Sequence, residues 1–152
     1  MPSKKILAIF GATGNQGGSL ANYVLSDPEL SATYSVRAIT RDVTSSKSQA
    51  LKQKGAEVVT GDISDAASLK PALTGVHTVF IMTAPAWGPD AVDIEYGQAK
   101  SAADVAVEQG VEYIIFSTLP HVSKISGGKY AKVFPLIPVT SSSVSLSLFN
   151  TP

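Results

Sequence analysis

The chain has no cysteine in 152 residues, which excludes a disulfide framework, thiolate metal sites and cysteine nucleophiles. It has no excess charge of either sign: Lys+Arg and Asp+Glu each number 12. A neutral chain lacks the broad basic field that nucleic-acid binding usually needs, so direct nucleic-acid contact is not expected. Charge is scarce altogether, at 16% against ~25% in typical domains. With 44% hydrophobic residues, disorder over most of the length is excluded. Long apolar runs are missing too. The stretch Ile6 to Phe10, behind the basic Met1 to Lys5, is too short for the apolar region of a signal peptide and far too short to cross a bilayer. The expectation is a cytoplasmic protein, with the nucleus as the alternative, and no membrane partner. The two histidines, His77 and His121, lie far apart without ligand spacing, so no metal site is expected.

What the chain does have is an alternation of strands and helices. Ile6 to Phe10 is continuously apolar, as in a parallel strand buried on both faces, and stops at Gly11. A helix over 16–26 closes at Asp27-Pro28. A strand over 35–40, a helix over 47–54 and a short strand over 57–60 follow. Asp65 caps a helix running to Thr74, and residues 78–83 form the fourth strand. The longest helix, 90–109, places Val92, Tyr96, Ala99, Ala103 and Ala106 on one face, and 113–117 is the fifth strand. Three helices end at Gly55, Gly75 and Gly110 and lead into a strand. Such alternation predicts an α/β fold, a Rossmann-type doubly wound parallel sheet with strand order 3-2-1-4-5 and an incomplete second half. Beyond Val133 the pattern fails. Phe134 to Pro152 is uncharged and rich in Ser and Pro, and its Val139, Val144, Leu146 and Leu148 fit either an added strand or an ill-fitting tail.

Gly11-Ala12-Thr13-Gly14-Asn15-Gln16-Gly17 joins the first strand to the first helix. Glycines at this spacing allow a tight turn, close approach of backbone to a pyrophosphate and close packing of helix on strand. The helix N-terminus then offers N–H groups and the positive end of a dipole to phosphates. Dinucleotide sites selective for NAD place an acid after the second strand, on the ribose 2′-hydroxyl. Here the strand ends in Arg41, whose guanidinium suits a 2′-phosphate. Ser45, Ser46 and Lys47 would add donors. A solvated loop charge is the alternative for Arg41, and Asp42 one residue later is placed to reach a ribose. Asp62, after the third strand, either accepts from an adenine amino group or orders the turn into the next helix.

These residues resemble the NmrA-like family, an atypical branch of the short-chain dehydrogenase/reductase superfamily. The resemblance runs over about residues 4–133. It rests on GATGNQG, on Thr40-Arg41, on Lys54 to Val59 leading to Gly61-Asp62, on Glu95 to Lys100, and on Tyr113 to Leu119 with the loop Lys124 to Tyr130. It implies residues 1–133 as an NAD(P)-binding domain, with NADP(H) preferred and NAD(H) as the alternative. It also implies Gly11, Thr13, Gly14, Asn15, Gln16 and Gly17 on the pyrophosphate, Arg41 on the 2′-phosphate, Asp62 on the adenine side, and Thr83 with Ala84 beside the nicotinamide ribose. The family's chains run well past Val133, and residues 134–152 resemble a different reading of the gene.

The superfamily's usual catalytic group is Ser followed by Tyr-x-x-x-Lys, where the lysine lowers the tyrosine pKa for proton exchange with a substrate oxygen. Tyr96 to Lys100 has that spelling but precedes the fifth strand, whereas the catalytic pair belongs after it; packing is the better reading of Tyr96. Ser117 stands where the superfamily's serine would, and His121 and Lys129 are alternative acids or solvated loop residues. Trp87 either covers the nicotinamide or packs on the sheet rim. Some members of the family are redox sensors or co-regulators and others are reductases. The missing tyrosine favours a cofactor sensor acting through a regulatory protein partner, and the alternative is a reductase of a small carbonyl, quinone or enone. The chain as it stands is expected not to turn over a substrate. An unpaired edge beyond the fifth strand is expected to favour self-association or a partner.

Overall fold

A computed structural model describes residues 3–118 and 125–129, and the backbone of 147–150. The continuously apolar first strand, β1 (Lys5–Ile9), lies in the middle of the sheet, paired in parallel with β2 (Tyr34–Thr40) on one side and β4 (Thr78–Ile81) on the other. Beyond β2 lies β3 (Glu57–Thr60), and beyond β4 lies β5 (Tyr113–Phe116), both parallel. The order is therefore 3-2-1-4-5 over the five parallel strands. A sixth strand, β6 (Ser147–Asn150), pairs antiparallel with β5 in the register Tyr113 to Asn150. The edge of β5 is thus covered: of the two readings of the tail, the added strand is the one seen at 147–150, and the open edge expected otherwise is not. Leu148 lies in this strand, while Val139, Val144 and Leu146 fall outside the described residues.

The period of two along β1 divides the core. Ala8 and Phe10 join Ile39, Leu69, Leu73, Val79, Ala102 and Val105 on one face of the sheet. Leu7 and Ile9 join Ala21, Val24, Val36, Leu51 and Phe80 on the other. The first face is covered by α4 (Ala66–Leu73) and α5 (Ala91–Glu108), the second by α1 (Asn15–Ser26) and α3 (Ser46–Gln53). Burying one Leu or Ile side chain contributes about 1.5–3 kcal/mol, and Ile9, Ile39, Leu69, Leu73 and Ile81 are all essentially sealed from water.

Two helical readings need correction. The chain does not leave helix at Asp27-Pro28: a short helix, α2 (Pro28–Thr33), starts there. Asp27 Oδ1 accepts from the N–H groups of Glu29 and Leu30, and proline occupies the first turn, where its missing N–H costs nothing. In α5 the buried line is Glu95, Gln98, Ala102, Val105 and Ala106, not the face through Val92, Tyr96 and Ala99; Tyr96 is 51% exposed. Two polar residues take inward positions because they have backbone to bind, as described below. Gly55, Gly75 and Gly110 follow α3, α4 and α5 with φ of 98°, 71° and 72°, the left-handed turn that ends a helix.

Candidate functional site

The chain winds outward from β1 to β3, then crosses back to β4, so the helices leaving β1 and β4 diverge to opposite faces. The crevice so formed, at the carboxyl ends of the strands, is where open α/β sheets bind ligands. The glycine loop occupies it. Gly11 has a φ of 61°, and the Gly14 N–H donates to the Gly11 carbonyl at 2.8 Å, which closes the turn. The close-packing glycine is Gly17: a Cβ there would lie 2.5 Å from the carbonyl oxygens of both Phe10 and Gly11. At Gly14 a Cβ would meet one oxygen at 3.2 Å, so Gly14 serves close approach rather than packing. Helices α2, α3 and α4 begin under side-chain caps from Asp27, Ser45 and Asp65. Neither α1 nor α5 has a side-chain cap, but α5 carries Asp93 in its first turn, whereas α1, entered through Gly14, has no acid there. Its N–H groups and dipole therefore face the crevice uncompensated, an arrangement suited to a phosphate.

A cavity of about 600 Å³ runs along this crevice. Its walls include Gly11, Thr13 and Gly14 from the loop, Arg41 and Lys47 after β2, Asp62 and Ser64 after β3, and Thr83, Ala84, Pro85 and Gln98. A second cavity of about 460 Å³ shares Thr13, Gly14 and Lys47 and reaches Asn15 and Lys54. Of the residues expected on the pyrophosphate, Gly17 is buried behind the loop and Gln16 lies off both walls. The Gln16 side chain instead accepts a hydrogen bond from the Ser117 hydroxyl at 2.7 Å, which ties the glycine loop to the end of β5.

Arg41 and Lys47 are both exposed on the cavity wall, and neither has a hydrogen-bond or ion-pair partner among the described residues. Asp42 is placed differently. Its Oδ1 accepts from the Thr44 N–H at 2.8 Å and the Thr44 hydroxyl at 2.6 Å, and the hydroxyl above all holds its pKa below the ordinary 3.8. Ser45 is a helix cap rather than a spare donor: its hydroxyl oxygen accepts from the Ser48 N–H and its proton goes to the Asp42 carbonyl. For Asp62 the turn-ordering role is the one observed. It lines the cavity, and its Oδ1 accepts from the Ser64 N–H at 2.9 Å to order the turn.

At the other end, Thr83 is 8% exposed and its hydroxyl donates to Glu95 at 3.2 Å. Lys129 is exposed and away from the cavity walls, and His121 lies outside the described residues. Trp87 is 90% exposed and off the wall, so it neither packs on the sheet rim nor covers the cavity. His77 is structural, with Nδ1 2.7 Å from the Thr78 hydroxyl, Nε2 3.4 Å from Glu112 and its ring against Tyr113. Glu95 and Gln98 were missed as site residues, although their spacing was readable: 95, 98, 102 and 105 recur at three- and four-residue steps on one helix line.

A parallel sheet in this order with a glycine loop at its switch point defines the class, a Rossmann-type nucleotide-binding fold. The chain belongs to the NmrA-like family, whose model matches residues 3–135. It is 36% identical over 127 residues to the NmrA-like family domain-containing oxidoreductase FrzB of Cladobotryum sp, covering 82% of this chain and 37% of that one. Among solved structures it is similar to the Citrobacter sp. triphenylmethane reductase complexed with NADP(H), with a TM-score of 0.60 and 28% identity, over 73% of this chain and 36% of that one. It is also similar to NmrA, a negative transcriptional regulator, with a TM-score of 0.62 and 25% identity, over 80% and 36% of the two chains. The chain thus spans little more than a third of the length of the relatives it matches.

Proposed function

We propose that this chain binds NADP(H) in preference to NAD(H) and works as a cofactor sensor that signals through a protein partner. The observation that carries the nucleotide preference is the pair Arg41 and Lys47, exposed on the cavity wall and without a partner among the described residues, where an NAD site keeps a free acid. The nearby acid, Asp42, has one oxygen committed to Thr44. The uncapped α1 would take the pyrophosphate, Asp62 the adenine side, and Thr83 to Pro85 the nicotinamide ribose. The sensor reading rests on the titratable groups along the cavity. Among the described residues these are Arg41, Asp42, Lys47 and Asp62, all after β2 and β3. Among the described residues, the wall after β4 offers no acid or base to exchange a proton with a carbonyl.

A reductase is the second reading. Ser117 at the end of β5 and the oxidoreductase names of relatives favour it. Calorimetric titration with NADPH and NADH tests the binding reading, with NADPH expected to bind at least tenfold tighter; equal affinities would refute it. NADPH consumption over a panel of quinones and enones separates sensor from reductase. Binding without consumption is the sensor's result, and steady turnover abolished by Gly14→Val would establish the reductase.

A further inference from the structure

Helix α5 turns two polar side chains toward the sheet at positions where an apolar residue would pack as well. Glu95 is 2% exposed and Gln98 is 9% exposed. Burying such groups is unfavourable unless they are hydrogen-bonded, so their partners explain their presence. Glu95 Oε2 accepts from the Thr83 hydroxyl at 3.2 Å, and its Oε1 accepts from the Ala86 N–H at 3.0 Å. Gln98 Oε1 accepts from the Ala84 N–H at 3.1 Å. Between them, these two side chains hold the segment after β4, which pairs with no strand among the described residues and forms one wall of the cavity.

Gln98 does more than hold that wall. Its Nε2 donates to the Ser64 hydroxyl at 3.2 Å, and the Ser64 N–H in turn donates to Asp62. A continuous line of hydrogen bonds therefore crosses the end of the crevice, from Ala84 after β4 through Gln98 and Ser64 to Asp62 after β3. A dinucleotide lying in the crevice would touch both ends of this line. We infer that Gln98 is a positioning residue, assisted by Glu95, which fixes the spacing between the adenine-side and nicotinamide-side walls so that one ligand engages both. The inference rests on the dinucleotide reading given above. The 2′-phosphate end, built by Arg41 and Lys47, lies outside the line, so the clamp acts on the whole dinucleotide and not on its adenine half.

Gln98→Met keeps length and volume while removing both bonds. Ser64→Ala, at an exposed position, cuts only the link between the walls and keeps the fold safe should Gln98→Met misfold. Affinities are measured for NADPH and for adenosine 2′,5′-bisphosphate, alongside amide hydrogen exchange at Ala84. NADPH affinity is expected to fall about tenfold in Gln98→Met and about threefold in Ser64→Ala, the size of losing two or one neutral hydrogen bonds. The bisphosphate should bind all three proteins equally, and Ala84 should lose protection only in Gln98→Met. Wild type that binds NADPH while both variants bind it equally well would overturn the clamp and leave the nucleotide reading standing. Equal losses for NADPH and the bisphosphate would also overturn it, as a general loosening of the fold. Wild type that binds neither ligand would defeat the nucleotide reading and the clamp together, even with Ala84 protected.

Discussion

Arg37 and Arg41 lie four residues apart in and just after β2, and they could hardly be used more differently. Arg37 is held by three acceptors. Its Nε donates to Glu57 at 2.7 Å, and one terminal nitrogen donates to the carbonyls of Ala72 and Thr74 at 3.1 and 2.7 Å. It thereby gathers the end of α4 and the start of β3. Arg41 is exposed, on the cavity wall, and without a partner among the described residues. The same contrast holds between the two ends of the sheet. At the amino ends of β4 and β5, the His77 ring lies between the Thr78 hydroxyl and Glu112. At the carboxyl ends, α1 starts after β1 without a side-chain cap, and Arg41 and Lys47 after β2 have no partner among the described residues. Two cations without partners beside an uncapped helix, on the wall of the cavity, suit an anionic ligand.

The contrast within the glycine loop predicts the largest effect. Gly17→Val would force a branched side chain against two carbonyl oxygens that a bare Cβ already meets at 2.5 Å. Destabilisation above about 4 kcal/mol is expected, enough to prevent folding in a marginal domain, and thermal melting reads it. Gly14→Val should remain folded and yet lose NADPH, because that side chain intrudes where the phosphates approach. If both variants fold and neither binds, the packing role of Gly17 is wrong. If both bind, the loop is not the phosphate site.

The two arginines give the next effects, and they should separate cleanly. Arg41→Ala is expected to weaken NADPH binding about tenfold to a hundredfold, the loss of a charged hydrogen bond, while NADH affinity and the melting temperature stay unchanged. Arg37→Ala should do the reverse. It leaves two helix-end carbonyls without their donor and costs about 1–3 kcal/mol of stability, mostly through those carbonyls because Glu57 is well exposed. Its ratio of NADPH to NADH affinity should not move. A selectivity change in Arg37→Ala, or none in Arg41→Ala, would break the comparison.

How far these features could be read in advance depended on the distance over which each is determined. Strand order, the glycine loop and the helix stops at Gly55, Gly75 and Gly110 follow from local pattern and backbone conformation, and they were legible. Asp27-Pro28 was ambiguous because the same pair ends one helix and starts another, with the aspartate as cap and the proline in the first turn. Hydrophobic periodicity gives the wrong face of α5 because it assumes that polar residues face water, whereas Glu95 and Gln98 accept from the backbone N–H groups of Ala86 and Ala84. The fate of Arg37 and Arg41 was equally hidden, since only the tertiary fold brings the end of α4 beneath one and leaves the other open. Such partners lie 20 to 37 residues away in sequence.

The smallest effect concerns the residue beside Arg41. Asp42 is fully solvent-facing, yet its pKa lies below the ordinary 3.8, first because the Thr44 hydroxyl donates to it and then because the Thr44 N–H does. A carboxylate with a lowered folded pKa stabilises the turn above its unfolded value, and that contribution fades as the pH falls through the folded one. The window therefore lies below about pH 4, well away from neutral working conditions. Removing the hydroxyl with Thr44→Val deletes the larger cause and keeps the backbone bond, so the Asp42 midpoint should rise part of the way back. Thr44→Ser should restore it. Carboxyl-carbon NMR titration of the three proteins reads the shift directly. At neutral pH the freed carboxylate would also be able to swing toward Arg41, and NADPH affinity in Thr44→Val should then fall slightly while NADH affinity holds. An unchanged midpoint in Thr44→Val would mean that Asp42 is not held by this turn and is free to reach a ribose hydroxyl, which would count against the 2′-phosphate reading of Arg41.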